Sequence, residues 1–237
     1  MNFKTGIILP LKESFSNEGF GAVSVWVNDY IKSSKYKYNI IFCKKLPKNH
    51  KYLSSNVHPI TIDTKIYSNL KYIKKISAEI IIKKINLVEI HNRPEYAHYL
   101  IKKHPELKIN LIFHNDPNTI RLSNKISHKE FLLEKCNKII FVSNWVKSRF
   151  FINLNHKHKN NTEVIYNFIK PLKKFPHKEK IIIFSGKLNK SKGFHIFGNS
   201  IIKILNKYRN WKSIVIGDEP REKLFFDHKN LKIYGYK

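Results

Sequence analysis

The sequence predicts an α/β fold in which parallel strands form sheets covered by helices, and three observations lead to this prediction. Short apolar runs rich in isoleucine and valine alternate along the chain with longer segments whose apolar residues have helical spacing. The runs are continuously apolar, which is typical of strands buried on both faces of a parallel sheet. The rhythm breaks once, at 168–179, where two prolines and a cluster of charges intervene, and then restarts. We therefore expect two units of the same kind in one chain.

The first unit is predicted to form a parallel sheet with helices on both faces. Its strands are expected at Gly6–Leu9, Asn39–Phe42, Pro59–Ile62, Leu87–Ile90, Ile109–Phe113, Lys138–Val142 and Glu163–Tyr166. Its helices are expected between these strands, at 21–33, 68–85, 94–103, 128–136 and 144–153.

The second unit repeats this pattern over a shorter length. It is predicted to contain a strand at 180–184, a helix at 193–208, and strands at Ser213–Ile216 and Leu231–Tyr234. We therefore predict an N-terminal domain at 1–168, a linker at 169–179 and part of a C-terminal domain at 180–237.

Composition bounds the class of protein. With 237 residues, of which 42% are hydrophobic, the chain is long enough to form packed cores. No apolar run approaches the length of about 18 residues that a transmembrane helix needs, and the N-terminal apolar stretch is too short for a signal peptide. Cys43 and Cys136 lack metal-binding and redox spacing, so we expect buried thiols in a cytoplasmic protein.

The net charge of +28 has three explanations. An anionic membrane surface and nucleic acid are both suitable partners for a basic protein, and an AT-rich genome also enriches lysine together with isoleucine and asparagine. Arginine is scarce and no nucleic-acid-binding signature is present, which favours the membrane over nucleic acid. We predict peripheral association with the inner face of the cytoplasmic membrane and no nucleic-acid partner. How much of the charge reflects genome composition stays open.

The stretch 181–205 predicts an anion-binding loop. An apolar strand ends at Ser185-Gly186, a loop with several lysines follows, and Gly193 opens an amphipathic helix. The N–H groups at a helix N-terminus and the charges of Lys187 and Lys192 both favour a bound phosphate. An ordinary strand–helix turn with solvated lysines is the alternative, because neither common glycine-rich phosphate motif matches.

Polar residues recur where the predicted strands end. Because the carboxyl ends of parallel strands lie on one rim of a sheet, these residues predict a binding cleft there. The candidates are Gly19, Gly21, His91, Asn92, Arg93, Glu95, His114, Asn115, Asp116, Asn167, Gly186, Gly217 and Asp218. His91 and His114 are of particular interest because each directly follows a strand of buried type, where an imidazole exchanges hydrogen bonds near neutral pH.

Other polar groups have simpler interpretations. Ser143 or Asn144 is expected to cap a helix rather than bind a ligand. The run His156-Lys157-His158 lies in a lysine- and asparagine-rich loop and is expected to be solvated surface rather than a metal site. The common metalloprotease and serine hydrolase motifs are missing from the sequence.

In its order of motifs the sequence resembles the GT-B glycosyltransferases of family 4. The matching segments are Gly19 and Gly21 after the first strand, IFHNDP with His114, IIFVSNWVKSRF, VIYNFI, SGKLNKSKGF with Lys187 and Lys192, IVIGDEPRE and LKIYGYK. The sequence departs from the family where Phe168 and Lys187 stand in place of the usual glycine and arginine. Its early glycines are also separated, whereas in the family they are usually adjacent.

The resemblance implies two facing Rossmann-like domains and transfer of a sugar, with retention, from a nucleoside-diphosphate donor. It implies that Lys187, Lys192 and Gly186 bind the donor diphosphate without a metal or other cofactor, and that Gly19 and Gly21 let the backbone approach the donor. His114 would contact the donor sugar or a reacting hydroxyl and is the predicted catalytic residue. The implied partners are a nucleotide-sugar and a cell-envelope glycan or glycolipid acceptor.

The family carries an E-x7-E segment farther along its C-terminal domain, and this sequence ends before such a segment. We therefore expect either a fragment of a longer enzyme or the product of a truncated gene. A non-catalytic remnant or partner subunit that binds sugar or phosphate is the alternative function.

Overall fold

The computed structural model describes residues 4–17, 21–35, 39–62, 68–154, 160–169, 171, 174–219, 222 and 224–235. The chain divides into two compact units, Met1–Ile169 and Lys170–Lys237. Each unit is described by itself.

The first unit contains a seven-stranded sheet in which all neighbouring strands run parallel. Its strands are β1 (Thr5–Ile8), β2 (Asn39–Lys44), β3 (Val57–Ile60), β4 (Leu87–His91), β5 (Lys108–Phe113), β6 (Lys138–Phe141) and β7 (Thr162–Val164). Its helices are α1 (Ala22–Ser33), α2 (Asn69–Ile82), α3 (Pro94–Lys103), α4 (Ile126–Lys135) and α5 (Asn144–Phe151). The predicted α/β fold is therefore confirmed.

The strand order is β3-β2-β1-β4-β5-β6-β7. The chain builds outward from β1 in one direction and then returns to add β4 on the other side of β1. The point between β1 and β4 is thus the topological switch point, where ligands bind in open α/β sheets.

Alternate residues of each strand face opposite sides of the sheet, and each side has its own core. Ile7 and Ile41 pack with Val27 of α1 on one side. Ile8 and Phe42 face the other side, in a larger core with α2, α3, α4 and α5. Because both faces are covered near β1 and β2, their strands are apolar throughout, as the sequence pattern indicated.

The largest errors in the predicted boundaries are at helix ends. Helix α2 was expected to run to residue 85 and ends at Ile82, because Lys84 has a left-handed φ of 52° and the Ile85 N–H bonds back to the Ile80 carbonyl. Asn153, with a φ of 62°, follows α5 in the same way. Strand β3 lies two residues earlier than predicted, at Val57–Ile60 rather than Pro59–Ile62.

The second unit has a three-stranded parallel sheet of order β10-β9-β8, made of β8 (Ile181–Ser185), β9 (Lys212–Ile216) and β10 (Leu231–Ile233). Helix α6 (Phe194–Lys207) connects β8 to β9. Rings of Phe184, Phe194, Phe197 and Phe226 pack together at centroid distances of 5.0–6.4 Å beside this helix. The predicted linker begins at the division between the units, and its described residues have no regular secondary structure.

In the described parts of the chain no helix is both long and apolar enough to cross a membrane. Cys43 and Cys136 are free and buried, as predicted, and burial raises the pKa of each thiol to about 12.

Candidate functional site

A cavity of about 370 Å³ opens at the switch point of the first unit. The loop after β1 contributes Lys12 and Glu13 to its wall, and the first turns of α1 contribute Trp26. The ends of β4, β5 and β7 contribute five predicted residues, namely Asn92, Arg93, His114, Asn115 and Asn167. The structure therefore brings five of the ten sequence-predicted site residues of this unit into one cavity.

The N-terminus of α1 lies at the edge of this cavity and holds a carboxylate. Glu13 Oε1 accepts a hydrogen bond of 3.0 Å from the Ser24 N–H, which satisfies one of the free donors of the helix end. A Cβ atom on Gly21 would come within 2.2 Å of this Glu13 oxygen, so a larger residue at position 21 would displace the Glu13 carboxylate from the helix end. Gly21 here makes room for a side chain of the protein itself, and its role in binding a donor stays a prediction.

Asn92 fixes the ends of β4 and β5 against each other. It has a left-handed φ of 53° and is buried, and its N–H donates to the Ile112 carbonyl at 2.9 Å. Its side-chain Oδ1 accepts from the N–H groups of His114 at 2.8 Å and Asn115 at 3.3 Å. A short polar side chain that tolerates the left-handed region is needed here, which explains why asparagine follows the strand.

His114 is held by a second histidine. His91 Nδ1 and His114 Nε2 share a hydrogen bond of 2.9 Å, and Trp26 packs edge-on against both rings at 5.4 and 5.5 Å. His91 is the last residue of β4 and has no exposed surface. It therefore lies behind the cavity wall, where it contacts the wall residues His114 and Trp26.

Burial keeps both rings neutral. Desolvation lowers the pKa of His114 to about 4. Two causes lower the pKa of His91 well below its usual range, first desolvation and second the proximity of His114. At physiological pH the His114 imidazole can accept or donate one hydrogen bond without carrying charge. The cations in the cavity wall are instead Lys12 and Arg93, and Arg93 Nη1 donates to the Asn92 carbonyl at 2.9 Å.

Two other predicted residues of this unit face away from the cavity. Glu95 forms an ion pair with Arg93, with 3.8 Å between Glu95 Oε1 and Arg93 Nε, and lines separate cavities beside α3. Asp116 binds Arg149 through bonds of 2.8 and 2.9 Å and accepts from the Asn118 N–H. Asp116 thus shapes the loop after β5.

In the second unit the predicted anion loop has the expected strand–loop–helix form. Ser185 ends β8, a 3₁₀ turn spans Lys190–Lys192, and α6 begins at Phe194 after Gly193 in the left-handed region with φ of 76°. The side chains of Lys187, Lys190 and Lys192 are exposed.

Asn189 organises this loop from within. Its Oδ1 accepts from the Lys192 N–H at 3.0 Å and from Ser191 Oγ at 2.9 Å, and the residue is buried. Its Nδ2 donates to Glu219 at 3.4 Å, while the Lys190 N–H donates to Glu222 at 2.9 Å. The loop is therefore preformed, with lysine charges outside and two carboxylates behind it.

Gly186 and Gly217 lie side by side at the carboxyl ends of β8 and β9. Their φ values of 151° and 146° exclude most side chains, and a Cβ on Gly217 would come within 1.8 Å of the Gly186 carbonyl oxygen. The Gly186 N–H also bonds to the Ile216 carbonyl at 3.0 Å. Gly186 is thus explained by its φ and Gly217 by its φ together with close backbone approach, and neighbouring Asp218 is exposed.

The remaining predictions concern residues that the structure does not describe, a helix cap and metal binding. Gly19 and the run His156-Lys157-His158 are not among the residues that the structure describes. Ser143 caps α5 by accepting from the Val146 N–H at 3.2 Å, as predicted. The described residues contain no group of three or more histidine, cysteine, aspartate or glutamate side chains placed to hold a metal ion.

Sequence analysis missed Glu13, Trp26 and Asn189. A signal for Glu13 was available, because the loop at 10–13 follows β1 just as the other candidates follow their strands. Trp26 lies within a helix, so only the packing of α1 on the sheet places it in the wall. Asn189 stands among lysines, and the anion-binding loop was predicted from the lysine charges and the helix N-terminus.

No protein-family model matches the sequence, and no curated protein sequence matches it. Solved structures do resemble it. HepE from Anabaena in complex with UDP and glucose has a TM-score of 0.68 at 14% identity, over 99% of this chain and 70% of HepE. A glycosyltransferase from Rickettsia africae has a TM-score of 0.66 at 17% identity, over 100% of this chain and 69% of its own. UDP-N-acetylglucosamine 2-epimerase from Rickettsia bellii has a TM-score of 0.51 at 10% identity, over 97% of this chain and 67% of the epimerase.

At these low identities the likeness establishes the fold alone. The chain has a GT-B-like α/β fold with Rossmann-like topology, as the sequence predicted.

Proposed function

We propose that this protein is a glycosyltransferase that moves a sugar from a nucleoside-diphosphate donor to a hydroxyl group of an acceptor. The observation that carries the proposal is the presence in one chain of two sites suited to the two halves of that reaction. The first unit has the switch-point cavity with His114 and Arg93, and the second has a preformed cationic loop at a helix N-terminus. HepE, which shares the fold, was solved with UDP-glucose as well as with UDP and glucose.

In the proposed reaction the bond between the anomeric carbon and the diphosphate oxygen breaks, and a bond from that carbon to the acceptor oxygen forms. The acceptor hydroxyl gives up its proton to the departing diphosphate or to solvent. The nucleoside diphosphate leaves with the developing negative charge, so cations and helix N-termini stabilise the transition state. Lys187 and Lys192 would supply this stabilisation in place of a metal. Neutral His114 would bond to the donor sugar or to the reacting hydroxyl.

The finer features of the proposal come from the family resemblance. They are retention of configuration at the anomeric carbon, a cell-envelope glycan or glycolipid as acceptor, and work at the inner face of the cytoplasmic membrane. The basic charge of the chain is consistent with an anionic lipid surface.

Epimerisation of a nucleotide-sugar is the second candidate activity, because the Rickettsia bellii epimerase has a similar fold. Product analysis with UDP-glucose and UDP-N-acetylglucosamine separates the two activities. Transfer or slow hydrolysis releases UDP, whereas the product of epimerisation is still a nucleotide-sugar, with its sugar attached to UDP. Release of UDP that persists in EDTA would support a metal-independent transferase.

The donor site is tested by calorimetric titration of the full chain with UDP. We expect Lys187→Ala and Lys192→Ala each to weaken UDP binding by about 1.5–3 kcal/mol, the range for a charge-assisted hydrogen bond. Lys190→Ala, in the same loop and also exposed, is the matched control and should bind like the unmodified protein. Equal affinities for all three variants would contradict the assigned site.

A further inference from the structure

Two adjoining cavities lie along α3, away from the switch-point cavity. One, of about 300 Å³, lies beside α2, and the other, of about 500 Å³, lies beside α4. They share Glu95, Tyr99 and Leu122 in their walls. Volumes of this size are typical of small-molecule sites, so the shared wall suggests one extended binding surface.

Glu95 gives this surface an unused acceptor. Its Oε1 accepts from Asn69 Nδ2 at 3.3 Å and faces Arg93, whereas its Oε2 is buried and has no hydrogen-bond partner among the described residues. A buried oxygen without a partner costs free energy, which a hydroxyl donor from a ligand would recover. Arg121 lines the same cavity and can donate to neighbouring ligand oxygens.

Aromatic rings line the rest of the surface. His98 stacks on Phe131 at a centroid distance of 4.5 Å, and Tyr99 lines both cavities. His128 also faces the larger cavity, and its Nδ1 is buried without a partner in the described part of the chain. Flat rings beside isolated polar atoms suit a ligand that has apolar faces and polar edges.

The loop that forms the outer wall is held by several hydrogen bonds. Leu122 has a left-handed φ of 61°, and its carbonyl bonds to His98 Nε2 at 3.1 Å. The Ser123 hydroxyl donates to the Pro117 carbonyl at 2.7 Å, and Lys129 Nζ donates to Asn118 at 2.8 Å. A wall held in this way needs little reorganisation to bind a ligand.

We propose that these two cavities bind a glycan of at least two sugar units. Sugar hydroxyls would donate to Glu95 and accept from Arg121, and the apolar faces of the rings would pack on Tyr99 and His98. Arg93 contacts Glu95 here and also lines the His114 cavity, so the glycan surface adjoins the switch point. That this glycan is the acceptor rests on the proposed glycosyltransferase function.

A printed array of bacterial oligosaccharides, probed with the labelled full-length protein, tests the proposal. We expect binding to glycans of two or more sugars and none to the matching monosaccharides. Tyr99→Ala and Glu95→Gln should each lower affinity for the best glycan at least 10-fold in an NMR titration. Lys103→Ala, an exposed change on the same helix, is the control. Circular dichroism of each variant establishes that it is folded.

An array without glycan binding, or glycan binding that neither cavity variant weakens, would overturn the proposal. Release of UDP from UDP-glucose is measured on the same samples. Glycan binding without UDP release supports the glycan surface and counts against the transferase. UDP release without glycan binding does the reverse, so the two proposals fail separately.

Discussion

At the scale of single residues, His114 is where the geometry is most specific. One ring nitrogen is bonded to His91 and the ring lines the cavity, so Nδ1 is the nitrogen outside that bond. We expect His114→Ala to lower turnover of a nucleotide-sugar about 10²-fold, because a positioned imidazole typically contributes that much or more. UDP affinity should be unchanged, because the assigned diphosphate loop is in the other unit. Steady-state kinetics together with calorimetry measure both, and unaltered turnover would give His114 a structural role only.

The residues near this cavity also predict an unusual pH dependence of stability. Burial lowers the pKa of His114 to about 4, whereas in the unfolded chain it is about 6.5. Between these two values a proton binds to His114 in the unfolded chain but not in the folded one. The contribution of His114 to stability therefore falls as the pH falls. Burial, opposed by the Tyr30 hydrogen bond, raises the pKa of Glu89 to about 7. Between pH 4.5 and 7 the folded chain therefore holds the Glu89 proton, and this contribution rises as pH falls.

Replacing each group alone should separate these opposing contributions. Glu89→Gln keeps an acceptor for the Tyr30 hydroxyl and should make stability fall more steeply from pH 7 to 4.5 than in the unmodified protein. His114→Gln should make the same profile shallower. Each difference is at most about 3 kcal/mol, since one pKa unit corresponds to about 1.4 kcal/mol. Urea unfolding at half-unit pH steps measures it, with His177→Gln, at an exposed position, as the control. Parallel profiles for all variants would contradict the assigned pKa shifts.

At the scale of elements, the junction of β8 and β9 gives a matched pair of glycines. Gly217→Ala adds a methyl group within 1.8 Å of the Gly186 carbonyl oxygen at a φ of 146°, whereas Gly193→Ala meets nothing within 4 Å at a φ of 76°. We expect a loss of about 3 kcal/mol or more for Gly217→Ala, and about 1–2 kcal/mol for Gly193→Ala from backbone strain alone. Hydrogen exchange of the β8 and β9 amides compares the two, and equal protection would show that the junction tolerates a side chain.

The strands of the first unit were predictable from sequence because strands covered on both faces are continuously apolar, as in Ile41–Cys43 and Leu111–Phe113. The rim residues followed from the same logic, since parallel strands place their carboxyl ends on one edge. Helix ends were less predictable, because lysine at position 84 carries no sequence signal for its left-handed φ. Contacts between distant parts of the chain were not predictable. The hydrogen bond from the Ser24 N–H to Glu13 and the ion pair between Asp116 and Arg149 depend on long-range packing, which no local pattern contains.

At the scale of the whole molecule, the two units differ in the cores that they build. The first buries apolar residues on both faces of a wide sheet, in two clusters. The second has a narrow sheet and one described α-helix, and leaves Ile183 58% and Phe225 81% exposed. The first unit exposes large apolar side chains as well, with Ile82 at 71% and Trp145 at 59%, so exposure alone singles out neither unit for apolar contacts.

The charge of the whole molecule leads to a prediction about membranes. With a formal net charge of +28, the protein should sediment with vesicles that contain anionic phosphatidylserine and stay free of phosphatidylcholine vesicles. Each lysine near an anionic surface contributes about 1 kcal/mol, and exposed lysines such as Lys71, Lys74 and Lys84 are available on the first unit. Raising the salt from 0.1 to 1 M shortens the Debye length from about 10 to about 3 Å, so binding should be lost. Co-sedimentation across a salt series measures this effect. Binding that is insensitive to salt, or equal for both lipids, would mean that apolar contacts rather than charge hold the protein to the bilayer.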